Sequence, residues 1–443
     1  MKTIPLALYA GVAFTMAALY GSPATAQTCG DADGCDTNIY SDYSQILSGR
    51  NSVIENASEH CVISGGYSNH ISYQAPLGTI SGGASNFIDA YGNENTIGGG
   101  QSNYIYGGTT AGRGNDNTIG GGYNNRLTST TSGGFIGGGR NNLMPAGDCG
   151  VIGGGDGNQT THDYGMVGGG YHNIASGVSS AVLGGYQNTA SGDYSCAHAG
   201  GGNLASGMYS AVLGGSGNVA SGDYSLAVGR DAKADQNGCF VWADNAGYPM
   251  QCKIYPSGSL PFPAQNSFIA RATGGVELIT GMTAGTPSAG VYLTMGGSTW
   301  YLVSDRNKKR DFEPVDGREV LEKLAAIPIT TWQYDGEVSG ARHMGPMAQD
   351  LFAAYGLGDD DRHVTSIDED GIAMASIQGL YTEMTETDET MRALTDREAA
   401  AEAEAASIAK SQADAHRRAA AVEKELAEIA ASLGIPVTDA AAR

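Results

Sequence analysis

The sequence predicts a mainly β chain: a parallel β-roll or solenoid rod, a β neck, and a small α+β domain that runs into a C-terminal coiled coil. Three observations carry this. A unit of the form apolar-x-Gly-Gly-x-x-Asn recurs through residues 46–230. Short apolar or alternating runs broken by Gly and Pro fill 231–303. A heptad pattern holds from Ile377 to Leu433.

Composition bounds the rest. A chain of 443 residues has room for two or three domains. Charged residues are only 16%, which excludes a highly charged disordered chain. The 68 glycines follow no strict triplet, which excludes collagen. The formal charge is −22, and no lysine lies between Lys2 and Lys233. Nucleic acid is therefore not expected as a partner, because phosphate binding needs cations.

Residues 1–26 read as a secretory signal. Lys2 gives the positive start, 4–20 is the apolar run, and Ala24-Thr-Ala26 is the small-residue cleavage site before Gln27. The protein is expected to be exported and to end up secreted or at the cell surface. No later stretch is long and apolar enough to span a bilayer, so no transmembrane anchor is expected after signal removal. Residues 27–45 form an N-terminal segment. Of the seven cysteines, Cys29 and Cys35 are close enough to pair, as are Cys239 and Cys252. Cys61, Cys149 and Cys196 have no evident partner.

The repeat of 46–230 is marked by Asn69, Asn86, Asn103, Asn125, Asn142, Asn158, Asn173, Asn188, Asn203 and Asn218. Their spacing is 17, 17, 22, 17 and 16, then 15 four times. Such a period is too short for a helix pair and suits one solenoid coil of two short strands and two tight corners. Gly supplies positive-φ corners without steric cost. A single apolar residue six positions before each Asn, from Ile63 to Val212, is expected to stack into one thin column. The asparagines are expected to bond coil to coil as an amide ladder. Stability then comes from stacking, and ten coils at about 4.8 Å give a rod of roughly 50 Å. One column is a lean core, which suggests that side faces are buried against sister chains.

From about residue 174 to 229 the units carry Ala-Ser-Gly-x-Tyr-Ser-x-Val-x-Gly-Gly, as at Ala205 to Gly215. This pattern resembles the left-handed β-roll head of YadA-like trimeric adhesins. The resemblance implies a left-handed, trimeric fibre in which three rolls pack around an axis. Those adhesins finish in a membrane barrel. Residues 438–443 show no strand pattern, so self-anchoring is not expected.

Two sets of positions are candidates for ligand contact. The residue two before the ladder Asn varies (Tyr67, Gln101, Tyr123, Arg140, Asp156, Tyr171, Tyr186), which suggests a solvent-facing site. Tyr194, Tyr209 and Tyr224 recur at another corner. They are either ordinary corner residues or a platform for sugar rings, and a host-surface or glycan receptor is the partner they would fit. Gly153-Gly-Gly-Asp-Gly-Asn158 has the look of a calcium roll, but its Asp does not recur each period. His162, His172 and His198 lack metal-ligand spacing. No metal and no cofactor are expected. Glycoside hydrolysis usually needs two facing carboxylates, and no Glu occurs between Glu94 and Glu277.

Residues 231–303 form a connector, with strands expected at Phe240-Val-Trp-Ala, from Phe268 and from Val291, and an intertwined β neck as the architecture. Residues 304–381 hold the α+β domain. Val320, Leu321 and Leu324 share one helical face, Ile329-Thr-Thr-Trp-Gln-Tyr is a strand, Gly345-Pro346 is a turn, and 347–355 is a short helix. Residues 382–433 continue the heptad as a trimeric coiled coil, rich in Ala and carrying Glu398 and Gln412 in its seam. Gly434 and Pro436 end it, and 434–443 is a tail.

Ser304 sits at the join, with Lys309 five residues on. A serine hydroxyl needs a base, and a lysine serves only when burial or nearby cations keep it neutral. On its own the pair reads as a solvated turn, and His343 as a satisfied core histidine. The motifs Ser304-Asp-Arg-Asn-Lys-Lys-Arg-Asp-Phe-Glu-Pro, Ala341-Arg-His-Met-Gly-Pro-Met and Ile367-Asp-Glu-Asp-Gly-Ile-Ala-Met-Ala-Ser closely resemble the endosialidase-type intramolecular chaperone domain of phage tail fibres and bacterial fibre-like proteins.

That resemblance implies a homotrimerising chaperone that guides folding of the fibre upstream and then cuts itself off. Carried over, the scissile bond is Val303–Ser304, Ser304 is the nucleophile and Lys309 the base. His343, with Gly345 and Pro346 of the His-x-Gly-Pro motif, supports assembly or cleavage. The family usually has an apolar residue where Lys308 stands, so the choice between the two lysines stays open. The implied activity is an autoproteolytic serine endopeptidase acting once, in cis, with no substrate in trans. The implied function is an exported trimeric, adhesin-like fibre. The alternative is a phage-derived tail-fibre or tailspike-like protein that binds a receptor or depolymerises a glycan.

Overall fold

The computed structural model describes residues 38–434 apart from 42, 90, 108–114, 129–130, 253–264 and 338–339. The signal segment, Cys29 and Cys35, and the tail beyond Gly434 lie outside the described residues. The chain divides into two compact units, one ending at Val303 and the other beginning at Ser304.

The first unit is a parallel β-solenoid. Two 14-stranded sheets run its length, and alternate strands of the sequence pair with each other. Sheet 1 begins at Asn38–Ile39 and ends at Met250–Gln251. Sheet 2 begins at Gln45–Ile46 and ends at Phe268–Arg271. Most strands are two residues long, so nearly every sheet hydrogen bond joins one turn to the next. Registers are one-to-one: Ile63 pairs with Ile80, Ile80 with Ile97, and Ile119 with Ile136.

The core departs from the single column expected. Each turn buries two inward residues, one from each sheet. Sheet 2 supplies the expected column, from Ile63 through Ile152 to Val212 and on to Val241, and sheet 1 supplies a second. That second column runs Ile54, Ile71, Ile88, Ile105, Leu127 and Met144, then turns to Ala175, Ala190, Ala205 and Ala220. In the later units its residue is the Ala of Ala-Ser-Gly, small enough to read as part of a turn. A fully buried Ile contributes about 1.5–3 kcal/mol, so the rod is more strongly cored in its first half.

The asparagine ladder is present and wholly buried. Asn173 is representative. Its Nδ2 donates to Gly169 O of its own turn (2.8 Å) and to Gly185 O of the next (3.0 Å), while its Oδ1 accepts from Asn188 N (2.9 Å). One amide thus satisfies backbone groups on two turns at a corner where no strand partner exists. Ser52 takes the position before Asn69, and Ala232 N closes the series on Asn218 Oδ1. Beside each Asn a glycine is obligatory. Gly170 has φ +92°, and a Cβ there would lie 2.3 Å from Gly185 O.

The sheets do not stop at residue 230. The strands Ala232–Ala234, Phe240–Ala243, Met250–Gln251 and Phe268–Arg271 all add to the solenoid. Phe240–Ala243 and Phe268–Arg271 are therefore rod and not neck; the Gly-Gly-x-x-Asn signature fades after Asn218 while the strand pairing persists. A Cys239–Cys252 disulfide, as expected from their spacing, closes one of these last turns. The Asp244 carboxylate accepts from Thr273 Oγ1 (2.6 Å), Thr273 N (2.7 Å) and Arg271 Nε (2.7 Å). Those bonds, Thr273 first, hold it well below the usual carboxylate range. Beyond it, Val276–Thr283, Thr286–Leu293 and Tyr301–Leu302 form a three-stranded antiparallel sheet.

Among its described residues the second unit has three α-helices, α1 (Gly317–Ala326), α2 (Ala348–Tyr355) and α3 (Ser366–Ser432), and a hairpin of Thr330–Trp332 with His343–Gly345. Asp316 caps α1 by accepting from Arg318 N. Val320, Ile327, Leu351 and Ile372 form its small core. α1 lies close on α3: a Cβ on Gly379 would meet Gly317 O at 2.2 Å. Arg318 ties the two helices through Glu383 (3.1 Å) and Glu386. α3 is one helix of 67 residues, so it runs unbroken through residue 381. Its heptad residues Ile377, Leu380, Met384, Met391, Leu394 and Ile408 are exposed in the single chain. Among the described residues no helix is long and apolar enough to cross a membrane.

Asn173→Ala is expected to orphan the buried Asn188 N–H, at about 1–3 kcal/mol, while the Gly185 carbonyl keeps its bond from Tyr171 N. Urea unfolding followed by circular dichroism checks this, and an unchanged midpoint would remove the ladder as a source of stability. Cys61 is buried and its thiol donates to Ala75 O (3.2 Å); burial pushes its pKa up to about 11. Cys149 is exposed. A short iodoacetamide pulse at pH 8 is expected to alkylate Cys149 and spare Cys61, read by peptide mass; equal labelling would contradict the buried position.

Candidate functional site

The join between the units is built by a short turn. Tyr301–Leu302 is the last strand of the antiparallel sheet. Asp305 then caps a one-turn 3-10 helix, Arg306–Lys308, its Oδ1 accepting from Asn307 N (2.9 Å). The turn reverses the chain enough for Lys309 Nζ to donate to Ser304 Oγ at 2.8 Å. The bond is made by Lys309; Lys308 lies in the helical turn itself. A lysine amine on a serine hydroxyl is the contact a Ser/Lys dyad requires, since the amine must reach the proton that the hydroxyl loses. Residues 304–310 are all exposed in the single chain. Arg306, Lys308 and Arg310 crowd further positive charge into the same segment.

The second group of expected residues lies on the hairpin. His343 pairs with Trp332 across the two strands, and Gly345 pairs with Thr330. Pro346 follows, and Met347 occupies the N-cap of α2. His343 is 41% exposed and its Nε2 lies 3.0 Å from Glu337 Oε2. Its ring packs against Trp332 (4.8 Å between centroids) and Tyr334 (5.7 Å). The histidine is thus half-open and held on three sides by its own hairpin. Sequence reading missed Glu337 because nothing marks one acidic residue in a hairpin loop until the fold brings it to the imidazole. It missed Asp305 likewise, although an Asp two residues before an Asn is a recognisable turn cap.

On the rod, the variable position before each ladder Asn forms a continuous row of parallel bridges, from Arg50 through Tyr67 and Tyr123 to Tyr186 and Ser216. Tyr67, Tyr123, Tyr171 and Tyr186 are exposed there, as the variation implied. Tyr171 and Tyr186 stack at 5.5 Å, and Arg140 pairs with Asp156 at 2.6 Å. At the other corner, Tyr194, Tyr209 and Tyr224 stack in series at 4.9 and 5.2 Å. The three rod histidines are placed apart: His162 beside Thr161, His172 against Tyr171, and His198 beside Cys196.

Residues 304–357 match the family model described as chaperone of endosialidase. The matched span begins at Ser304, where the second unit begins, and takes in the Ser304–Lys309 contact, α1, the hairpin and α2. No curated protein matches the chain. A β-solenoid followed by this domain has the make-up of a tail-fibre-like protein.

Proposed function

We propose that the chain is an exported trimeric fibre whose C-terminal domain gathers three copies, sets the register of their rods, and then severs itself between Val303 and Ser304. The observation that carries this is the 2.8 Å bond from Lys309 Nζ to Ser304 Oγ at the start of the matched family domain. The exposed apolar stripe of α3 supports the trimer, since a 67-residue helix with heptad spacing needs partners to cover it.

The chemistry follows from the two residues. Neutral Lys309 takes the proton of Ser304 Oγ, and the oxygen attacks the Val303 carbonyl carbon. The C–N bond to Ser304 breaks, its nitrogen leaving with a proton, and an ester joins Val303 to Ser304 Oγ. Water then hydrolyses the ester, freeing the Val303 carboxylate and restoring the hydroxyl. A lysine base works best when desolvated, and the dyad is open in the single chain. Assembly supplies the cover, so cutting waits for the trimer. His343, steadied by Glu337, belongs to the assembled state. The products are a fibre of residues 27–303 and a released 304–443. The fibre acts as an adhesin or structural element against a host-surface or glycan receptor.

A second reading is a phage-derived tail fibre, favoured by the kind of protein the matched family model describes. The secretory pattern of residues 1–26 weighs for a cellular, exported protein.

Intact mass of the purified protein tests the cleavage. Wild type is expected to give two fragments meeting at 303/304, and Ser304→Ala one uncut chain. Lys309→Met is expected to slow cutting by about 10²–10⁴-fold, the usual worth of a general base, while Lys308→Met still cuts. A wild-type trimer that stays uncut would overturn the proposal.

A further inference from the structure

One corner of the rod holds its residues in the left-handed conformation: Tyr164, Ser179, Tyr194, Tyr209 and Tyr224 have φ between 53° and 58°. Bulky side chains avoid that region, which Gly and Asn enter at little cost. The opposite corner holds the same conformation with Ser102, Asn124, Asn141, His172 and Gln187, so positive φ is a demand of both corners. What sets this corner apart is that most of its rungs carry an exposed tyrosine.

The tyrosines form a column with one gap. Tyr194, Tyr209 and Tyr224 stack face to face, with interplanar angles of 8° and 12°. Ser179 replaces the ring on the next rung, and Tyr164 resumes the column beyond it. The backbone is continuous through the gap: Tyr194 N donates to Val178 O and Ser179 N to Asp163 O, both at 2.8 Å. Tyr164 and Tyr194 are therefore two rungs apart, about 9.6 Å, over a serine floor. Both are more than half exposed.

Width and charge select the occupant. A flat ring between two walls needs about 3.5 Å on each side, or about 7 Å in all. The gap is wider, and a puckered pyranose fills it. Asp163 and Asp193 adjoin the two tyrosines, each with one oxygen accepting a backbone N–H, from Asp148 (2.9 Å) and Val178 (3.0 Å). No Lys or Arg occurs between Arg140 and Arg230, so phosphate, sulfate and carboxylate groups would meet only negative charge.

We propose that the Ser179 gap is a subsite for a neutral glycan, one pyranose ring held between Tyr164 and Tyr194 with its hydroxyls donating to Asp163 and Asp193. This rests on the reading of the rod as the receptor-binding part of the fibre. The test is binding of the full chain to a printed array of neutral hexose and N-acetylhexosamine oligosaccharides, with sulfated and sialylated glycans as comparators. Wild type is expected to bind neutral members. Ser179→Tyr, which completes the column, and Tyr194→Ala, which removes a wall, are expected to weaken binding about tenfold or more. Tyr248→Ala, at an exposed tyrosine outside both corner rows, leaves it unchanged. Thermal unfolding of each variant guards against misfolding, and if Ser179→Tyr does not fold, Tyr194→Ala decides. Binding to charged glycans alone, binding undiminished in the two slot variants, or no binding would each overturn the subsite. Cleavage at 303/304 is read in the same samples, so loss of the subsite with normal cutting is distinguishable from failure of the functional reading itself.

Discussion

Everything in the first unit depends on the register of one turn upon the next. With strands of two residues, no strand is stable by itself, and the backbone bonds that matter all cross between turns. A slip by one residue would turn the inward Ile or Val of a strand out to solvent. It would also break the chain of buried amides, because each Asn accepts from the backbone N–H of the next Asn, and several from its side-chain Nδ2 as well. The glycines enforce the same register sterically. At Gly170 and its equivalents the neighbouring turn approaches so closely that no side chain fits. The 22-residue turn between Asn103 and Asn125 shows the tolerance of the design: the added residues leave Asn125 N on Asn103 Oδ1 at 3.1 Å.

Stacking of this kind is cooperative along the rod but hard to start, since contacts form only after a turn has closed. The Ala-rich second half is the part least able to hold itself. Sheet 2 has an outward face to match. Phe135, Val151, Met166, Leu183 and Leu213 stand exposed on it. An apolar outer face beside a thinning core is what a rod shared among copies requires, and the proposed assembly through α3 would meet the same need.

The solenoid was legible in the sequence because its constraints are local and repeated. Asn and Gly at a fixed offset are demanded by one corner, and repetition makes the demand visible. The second core column was not legible where it is Ala175, Ala190 and Ala205, because alanine is at home in both a core and a turn. The last turns were hidden for a related reason: past Asn218 the disulfide and the Asp244–Arg271–Thr273 contacts replace the ladder, and a lock made once leaves no period. At the site, Ser304 and Lys309 were readable from their motif, and the Asp305-capped turn explains why five residues separate groups that touch. Glu337 was not readable, since its link to His343 exists only once the hairpin closes. The Ser179 gap is plain in the sequence but acquires meaning only when its neighbours are seen to stack.

Sedimentation equilibrium of the Ser304→Ala chain is the most direct measurement of whether the rod's register is a property of the assembly. A mass three times that of the single chain is expected, with no folded monomer on dilution. A well-folded monomer at every concentration would contradict it.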